Sequence, residues 1–254
     1  MESVKGTQSL ERTFGIIDIL SKHPKGLKLS EISHKASIPL STVHRILYFL
    51  ILNEYVRTDE STNRYFIGSK LALLSSIYMQ SFDFIKEIRP ALEKLNRKFD
   101  ETIHLGVLNN SRNLVVYVDK LESSRTVRMF SMVGQTAPIH CTALGKSLIA
   151  SLSEMEAKKI LSDYSFKRFT ENTITNKNSF MAELADIRIN GFATDKREYE
   201  DTVICCGKAF CDPQNHAIAA ISISIPAHRF TEEKIESIVG SLNNTIDWIE
   251  SKIA

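Results

Sequence analysis

Ser41, Thr42, His44 and Arg45 fall within one and a half turns of each other if the segment Pro39 to Tyr55, PLSTVHRILYFLILNEY, is helical. Short hydroxyl and cationic hydrogen-bonding side chains are the types that read phosphates and base edges. The opposite face argues for the helix. There Val43, Ile46, Leu47 and Leu50 recur at the i, i+3, i+4, i+7 spacing of a buried stripe. Pro39 suits the entry, where its missing N–H costs nothing. Taken alone, the polar face could equally be a solvated one. A second candidate lies far downstream on Ala219 to Pro226. Alternation sends Ile221, Ile223 and Ile225 to one face of this strand and Ser222 and Ser224 to the other. On alternation alone, those serines face water.

Two further chemistries can be weighed. Cys205, Cys206, Cys211 and His216 have a loosely metal-like mixture. Cys205 and Cys206 are adjacent, however, and project to opposite faces of a strand, which suits neither CxxC spacing nor one tetrahedral site. A zinc- or thiol-dependent sensor or enzyme built on these four residues is the alternative function. A hydrolase would need Ser222 or Cys205 as nucleophile and His140 or His216 as base, within hydrogen-bond reach. No nucleophile elbow, P-loop or dinucleotide fingerprint supports it. The expectation is a non-enzyme with no catalytic residues, no metal and no cofactor.

The elements around Pro39 to Tyr55 give its polar face a context. Gln8 to Leu20 reads as a helix with Leu10, Phe14, Ile17 and Leu20 on one face, and His23-Pro24-Lys25-Gly26 breaks it. Leu29 to Ala36 reads as a short second helix with Leu29, Ile32 and Ala36 inward, and Ser37 to Leu40 as the tight turn into the third. Tyr55-Val56-Arg57 and Arg64-Tyr65-Phe66-Ile67 then flank the polar turn 59–63 like a hairpin. Helix, helix, turn, helix, hairpin is a winged helix-turn-helix, whose third helix enters the major groove by its N-terminal residues. Thr7 and Gln8, at the start of the first helix, are plausible phosphate contacts.

Gly68 to Phe82 reads as a connector helix. Its stripe of Leu71, Leu74, Ile77 and Tyr78 must be buried somewhere, and its counterpart in a dimer is the expected partner. Beyond residue 84 the pattern becomes mixed. An amphipathic helix over 84–99 (Ile85, Ile88, Leu92, Leu95) precedes strand-like runs at 101–108, 114–121 and 127–133. Helices are expected at 142–151, 153–163 and 180–190, strands at 192–199, 203–211 and 218–226, and a long helix at 231–253. That interleaving predicts an α+β domain with a mainly antiparallel sheet. The expected organisation is a DNA-binding domain over 1–68, a connector over 69–83 and a second domain over 84–254.

Composition is that of an ordinary globular protein: 254 residues, 43% hydrophobic and 24% charged. The net charge of +2 hides a mild asymmetry. The first 80 residues hold ten Lys or Arg against seven Asp or Glu, and the remainder 22 against 23. No apolar run of membrane-spanning length is present, the first residues lack the character of a signal peptide, and four cysteines form no disulfide-like framework. A cytoplasmic location without membrane contact is expected.

The array Leu29-Ser30-Glu31-Ile32, Ile38 to Leu47 and Tyr65-Phe66-Ile67-Gly68, together with HCTALGKSLIA at 140–150, GFATDKREYEDTVICCGKAF at 191–210 and AAISISIPAHRF at 219–230, resembles the IclR family of bacterial transcriptional regulators from end to end. The resemblance implies a winged helix-turn-helix followed by a GAF-like effector domain, a homodimer that often pairs into tetramers, and a pseudo-palindromic double-stranded DNA operator. It also implies an effector pocket lined by the equivalents of Met129, Ala143, Leu144, Asp195, Cys205, Ser222 and Ser224. Without it, Cys205 would be a buried small hydrophobe and Asp195 a solvated charge at a strand end. The turn at Thr142 to Gly145 departs from relatives that carry Gly-Ala there, which keeps the backbone donors but alters the shape of the pocket. Within the family, ETIHLGVL at 101–108, YVDKLES at 117–123, VRMFSMVG at 127–134 and KRFTENTIT at 167–175 resemble the branch that governs pectin and hexuronate catabolism and responds to 2-keto-3-deoxygluconate. The expected function is a repressor of sugar-acid catabolism, with Ser41, Thr42, His44 and Arg45 touching DNA from the third helix, Arg64 touching it from the wing, and a small sugar-acid or keto-acid effector.

Overall fold

A computed structural model describes residues 6–80, 82, 84–126, 129–214 and 216–253. The chain forms two compact units, Met1–Phe82 and Asp83–Ala254.

In the first unit, α1 (Gln8–Ser21), α2 (Leu29–Ala36) and α3 (Leu40–Leu52) surround a core of Ile16, Leu20, Leu27, Ile32, Ile38, Val43, Leu47, Leu50 and Val56. Ser37, left-handed at φ 55°, ends α2, and the Ser33 hydroxyl donates to the Ile38 carbonyl at 2.6 Å, fixing the turn into α3. The wing hairpin, β2 (Val56–Asp59) and β3 (Arg64–Ile67), gains a two-residue third strand, β1 (Leu27–Lys28). Helix α4 (Ser69–Gln80) follows, with Leu74, Ile77 and Tyr78 of its apolar stripe exposed on the chain. One expectation needs correction. Helix α1 buries Ile16 and Leu20, while Leu10 and Phe14 face outward. The helix is apolar on two sides, and the side on which α2 and β3 pack is the one that is buried.

The second unit is a six-stranded antiparallel sheet in the order β6-β5-β4-β9-β8-β7. The strands are β4 (Thr102–Leu108), β5 (Leu114–Leu121), β6 (Thr136–Pro138), β7 (Ala193–Lys196), β8 (Val203–Cys211) and β9 (Ala217–Pro226). On β9 the even positions face α6 (Ala143–Ala150), since Ala220 shares a core with Leu144, Leu148 and, from α8 (Lys177–Asn190), Phe180. The odd positions face the other way with their neighbour Phe210, whose ring meets Phe84 at the start of α5 (Phe84–Phe99). Helix α5 buries Ile85, Ile88, Leu92 and Leu95, and α9 (Glu232–Ile253) buries Ile238, Leu242, Ile246 and Ile249. A short helix, α7 (Glu154–Ile160), is started by a capping box between Ser153 and Glu156. The strand expected over 127–133 is not there: Met129 to Val133 are irregular, and Val127 and Arg128 lie outside the described residues. Edge strand β6 forms instead, pairing Thr136–Pro138 with Leu114–Val116.

Candidate functional site

Two sets of residues were marked by type. On α3, packing of Val43, Leu47 and Leu50 into the core turns Ser41, His44 and Arg45 outward, with Thr42 half-buried beside them. Pro39 occupies the N-cap with no side-chain cap, so the first amide N–H groups of the helix remain available to an anion. The two wing arginines differ. Arg64 donates from Nη1 to the Gly26 carbonyl at 2.8 Å and lies 3.6 Å from Glu31, so its guanidinium braces its own unit instead of projecting from the wing. Arg57, exposed because Val56 beside it is buried, lies over the Phe66 ring at 4.4 Å. The alternation around Val56 was the signal that could have marked it.

The second set is assembled by strand register. Asp195 on β7 stands opposite Cys205 on β8, and Cys205 opposite Ser224 on β9. Ser222 stands between Gly207 and His104 of β4. All of these side chains face α6. The helix begins directly over the row, because Gly207 has no side chain there: a Cβ would lie 3.1 Å from the backbone carbonyl of Ala143. Thr142 fixes the approach by accepting the Gly145 N–H on its hydroxyl at 3.2 Å and donating that hydroxyl to the Pro138 carbonyl at 2.7 Å. Met129, Phe130, Ser131 and Gln135 complete the wall. Lys120 holds that segment by donating to the carbonyls of Met129 and Ser131 at 2.9 and 2.8 Å. The cavity measures about 40 Å³, room for about three waters.

Burial makes the polar groups here unlike their free counterparts. Ser222 and Ser224 are each 3% exposed, so they do not face water as alternation alone implied. The Cys205 thiol donates to the Ser224 hydroxyl at 3.3 Å, and burial pushes its pKa well up, keeping it a thiol. His104 is sandwiched between Ser224 (Nδ1 to Oγ 3.2 Å) and Ser131 (Nε2 to Oγ 2.7 Å) and tilts against the Tyr117 ring. Burial, assisted by Lys120, lowers its pKa to about 3, so the ring is neutral. Burial raises Asp195 to about 7, against the pull of the Glu198 N–H that donates to its Oδ1 at 2.7 Å. Behind it lies an ion triad. The fully buried Lys146 donates to Glu198 at 2.7 Å and to Glu183 at 2.8 Å. Burial opposes the lysine's charge, but the two carboxylates outweigh that and raise its pKa. The other oxygen of Glu198 is buried with no hydrogen-bond partner among the described residues.

Met129, Ala143, Leu144, Asp195, Cys205, Ser222 and Ser224 thus border a single cavity. His104, Tyr117, Ser131, Gln135, Tyr199 and Glu200 border it as well and carried no sequence signal, since each reads as an ordinary strand or loop residue until the register is known. The metal-like cysteines are dispersed. Cys206 points into the opposite face, Cys211 ends β8, and His216 pairs with Asp212. Among the described residues no three His, Cys, Asp or Glu side chains could hold an ion together, and no helix is long and apolar enough to cross a membrane.

Residues 9–60 match the IclR helix-turn-helix domain and residues 76–250 the C-terminal domain of bacterial IclR transcriptional regulators. The chain is 31% identical over 245 residues to the HTH-type transcriptional regulator KdgR of Escherichia coli K12, covering 96% of this chain and 92% of that one. It is 30% identical over 233 residues to the HTH-type transcriptional repressor AllR of the same organism, covering 92% and 85%. The crystal structure of Thermotoga maritima IclR superposes with a TM-score of 0.81 at 32% identity, over 97% of this chain and 99% of that one. A winged helix-turn-helix, an antiparallel sheet with a helix seated on a polar row, and these matches across both units place the chain in the IclR family of DNA-binding transcriptional regulators.

Proposed function

We propose that this chain is a repressor of sugar-acid catabolism, controlled by a small carboxylate effector that occupies the cavity under α6. The observation that carries the reading is convergence. Residues from the 129–135 segment, the start of α6, β7, β8 and β9, scattered over nearly a hundred positions, border one cavity. The amide N–H groups of Ala143 and Leu144 at the start of α6 receive the effector's carboxylate. Ser222, Ser224, Cys205 and Asp195 bind its remaining oxygens, and Met129 forms an apolar wall. Resemblance to the branch that responds to 2-keto-3-deoxygluconate supports that compound as effector, and the AllR relative, named a repressor, supports repression.

DNA is read as a homodimer, or a pair of dimers, on a pseudo-palindrome with half-sites about one helical turn or a multiple apart. Ser41, Thr42, His44 and Arg45 make the contacts, with the wing beside them and Arg64 bracing it. The exposed stripe of α4 supports dimerisation, since such a face is stable only when covered. Regulation requires that the effector bind the DNA-competent and incompetent states unequally. The test is thermal stabilisation of the full chain by 2-keto-3-deoxygluconate against a panel of keto and sugar acids. A rise in Tm with one acid, lost in Asp195→Ala and Ser224→Ala, is expected. Equal stabilisation of both variants and the parent would remove the cavity from the reading.

A further inference from the structure

The cavity holds a charge problem. An anion entering it meets Asp195, 3% exposed on its wall, and Glu200 at its rim. No Lys or Arg lines it among the described residues. Among the described residues, Lys146 and Lys120 near it are committed elsewhere. Lys146 of α6, behind Asp195, is shared between Glu183 of α8 and Glu198, one positive charge between two negative ones. Lys120 of β5 donates to two carbonyls and pairs with Glu122. The remaining titratable groups around Asp195 are Tyr117 of β5, Cys141 before α6, Tyr199 beyond β7, Cys205 of β8 and, further along the row, His104 of β4, and burial keeps every one of them uncharged. The N-terminus of α6 offers only about half a positive charge. Two carboxylates cannot both ionise at close range in such surroundings without a cation between them.

We infer that Asp195 meets the effector as a neutral carboxyl that donates a hydrogen bond to it, so that each carboxylate ligand enters together with one proton. This rests on the effector reading above. Oδ1 accepts the Glu198 N–H at 2.7 Å, and the carboxyl of Asp195 borders the cavity, where its proton can be donated to the ligand. The balance is simple: carboxylate plus Asp195 carboxylate plus one solvent proton gives a complex with one negative charge, seated at the helix end. The elevated affinity of Asp195 for its proton in the free protein lowers the cost of that uptake near neutral pH.

Isothermal titration of the full chain with 2-keto-3-deoxygluconate and with pyruvate, in two buffers of different ionisation enthalpy from pH 6 to pH 9, counts the protons directly. Uptake should approach about one proton per site at pH 8 and fall toward zero at pH 6, with affinity dropping about tenfold for each pH unit above the Asp195 titration. Asp195→Asn, a neutral isostere that still donates, should bind the acids with no proton uptake and a flat pH profile. Binding by the parent with no uptake at any pH overturns the inference and leaves the effector site standing. So does an Asn variant that is folded yet binds nothing, which would mean that the charge itself is required, and so does one that keeps the proton uptake, which would assign it to another group. If neither acid binds the parent, the effector reading falls and the proton coupling falls with it.

Discussion

The two proposed functional regions are built on opposite principles. The α3 face works by display: a helix buries one stripe, and chemistry appears on the other as a by-product of local periodicity. The cavity works by convergence, with Asp195, Cys205 and Ser224 meeting only because β7, β8 and β9 pair in one register. A displayed site can change without disturbing its support, since Arg45 holds nothing together. A convergent site shares its parts with the core, so that substitutions there register in stability as well as in binding. The difference is measurable.

The largest effect is expected at Lys146→Ala, which leaves the buried Glu198 and the part-exposed Glu183 without their shared cation. Unfolding of the second unit should lose about 3–5 kcal/mol in a denaturant titration, while Arg45→Ala leaves that transition in place. Equal stability of both variants would erase the contrast. Next come the pH dependences, which run in opposite directions. Asp195 has a folded pKa raised to about 7 from 3.8. Its contribution to stability is therefore fully present below pH 3.8 and lost as pH rises to about 7. Relative to Asp195→Asn, which does not titrate, the parent should therefore lose stability over that window, and the difference should stay constant above it. His104, lowered from 6.5 to about 3, contributes stability that is lost as pH falls through the same region, so the gap to His104→Gln should narrow on acidification. Arg45→Ala should then cost about 1–3 kcal/mol of operator affinity if its guanine contact is bidentate, read by fluorescence anisotropy, with effector affinity unchanged. The smallest effect is expected at Ser224→Ala, about 1 kcal/mol in effector binding and nothing in DNA affinity without effector.

The same contrast explains what could be read from the sequence. The α3 face, the α5 stripe and the parity of β9 depend on neighbours within one element, and their residues stand where periodicity placed them. The α1 face did not, because Leu10 and Phe14 satisfy a helical stripe as well as Ile16 and Leu20 do, and only docking of α2 and β3 chooses between them. Two-residue β1 and three-residue β6 are too short to carry a pattern. Arg64 looked like a wing contact until Gly26 offered it a carbonyl across the small sheet. His104 escaped notice for a different reason: nothing in ETIHLGVL says that its partners lie at Ser131 and Ser224, 27 and 120 positions away. Ser222 and Ser224 show the limit of alternation itself, which tells which side chains share a face and is silent on whether a helix covers it.

Glu198 has a double attachment. Its backbone N–H grips Asp195 at the cavity wall, and its side chain grips Lys146, which in turn grips Glu183. Glu183 sits on α8 with 30% of its side chain in solvent. Four groups therefore form a hydrogen-bonded chain from the cavity wall on β7, through Lys146 of α6, to the surface of α8. Solvent reaches the α8 end of this chain, so neutralisation of the buried Lys146 depends in part on a carboxylate at the surface.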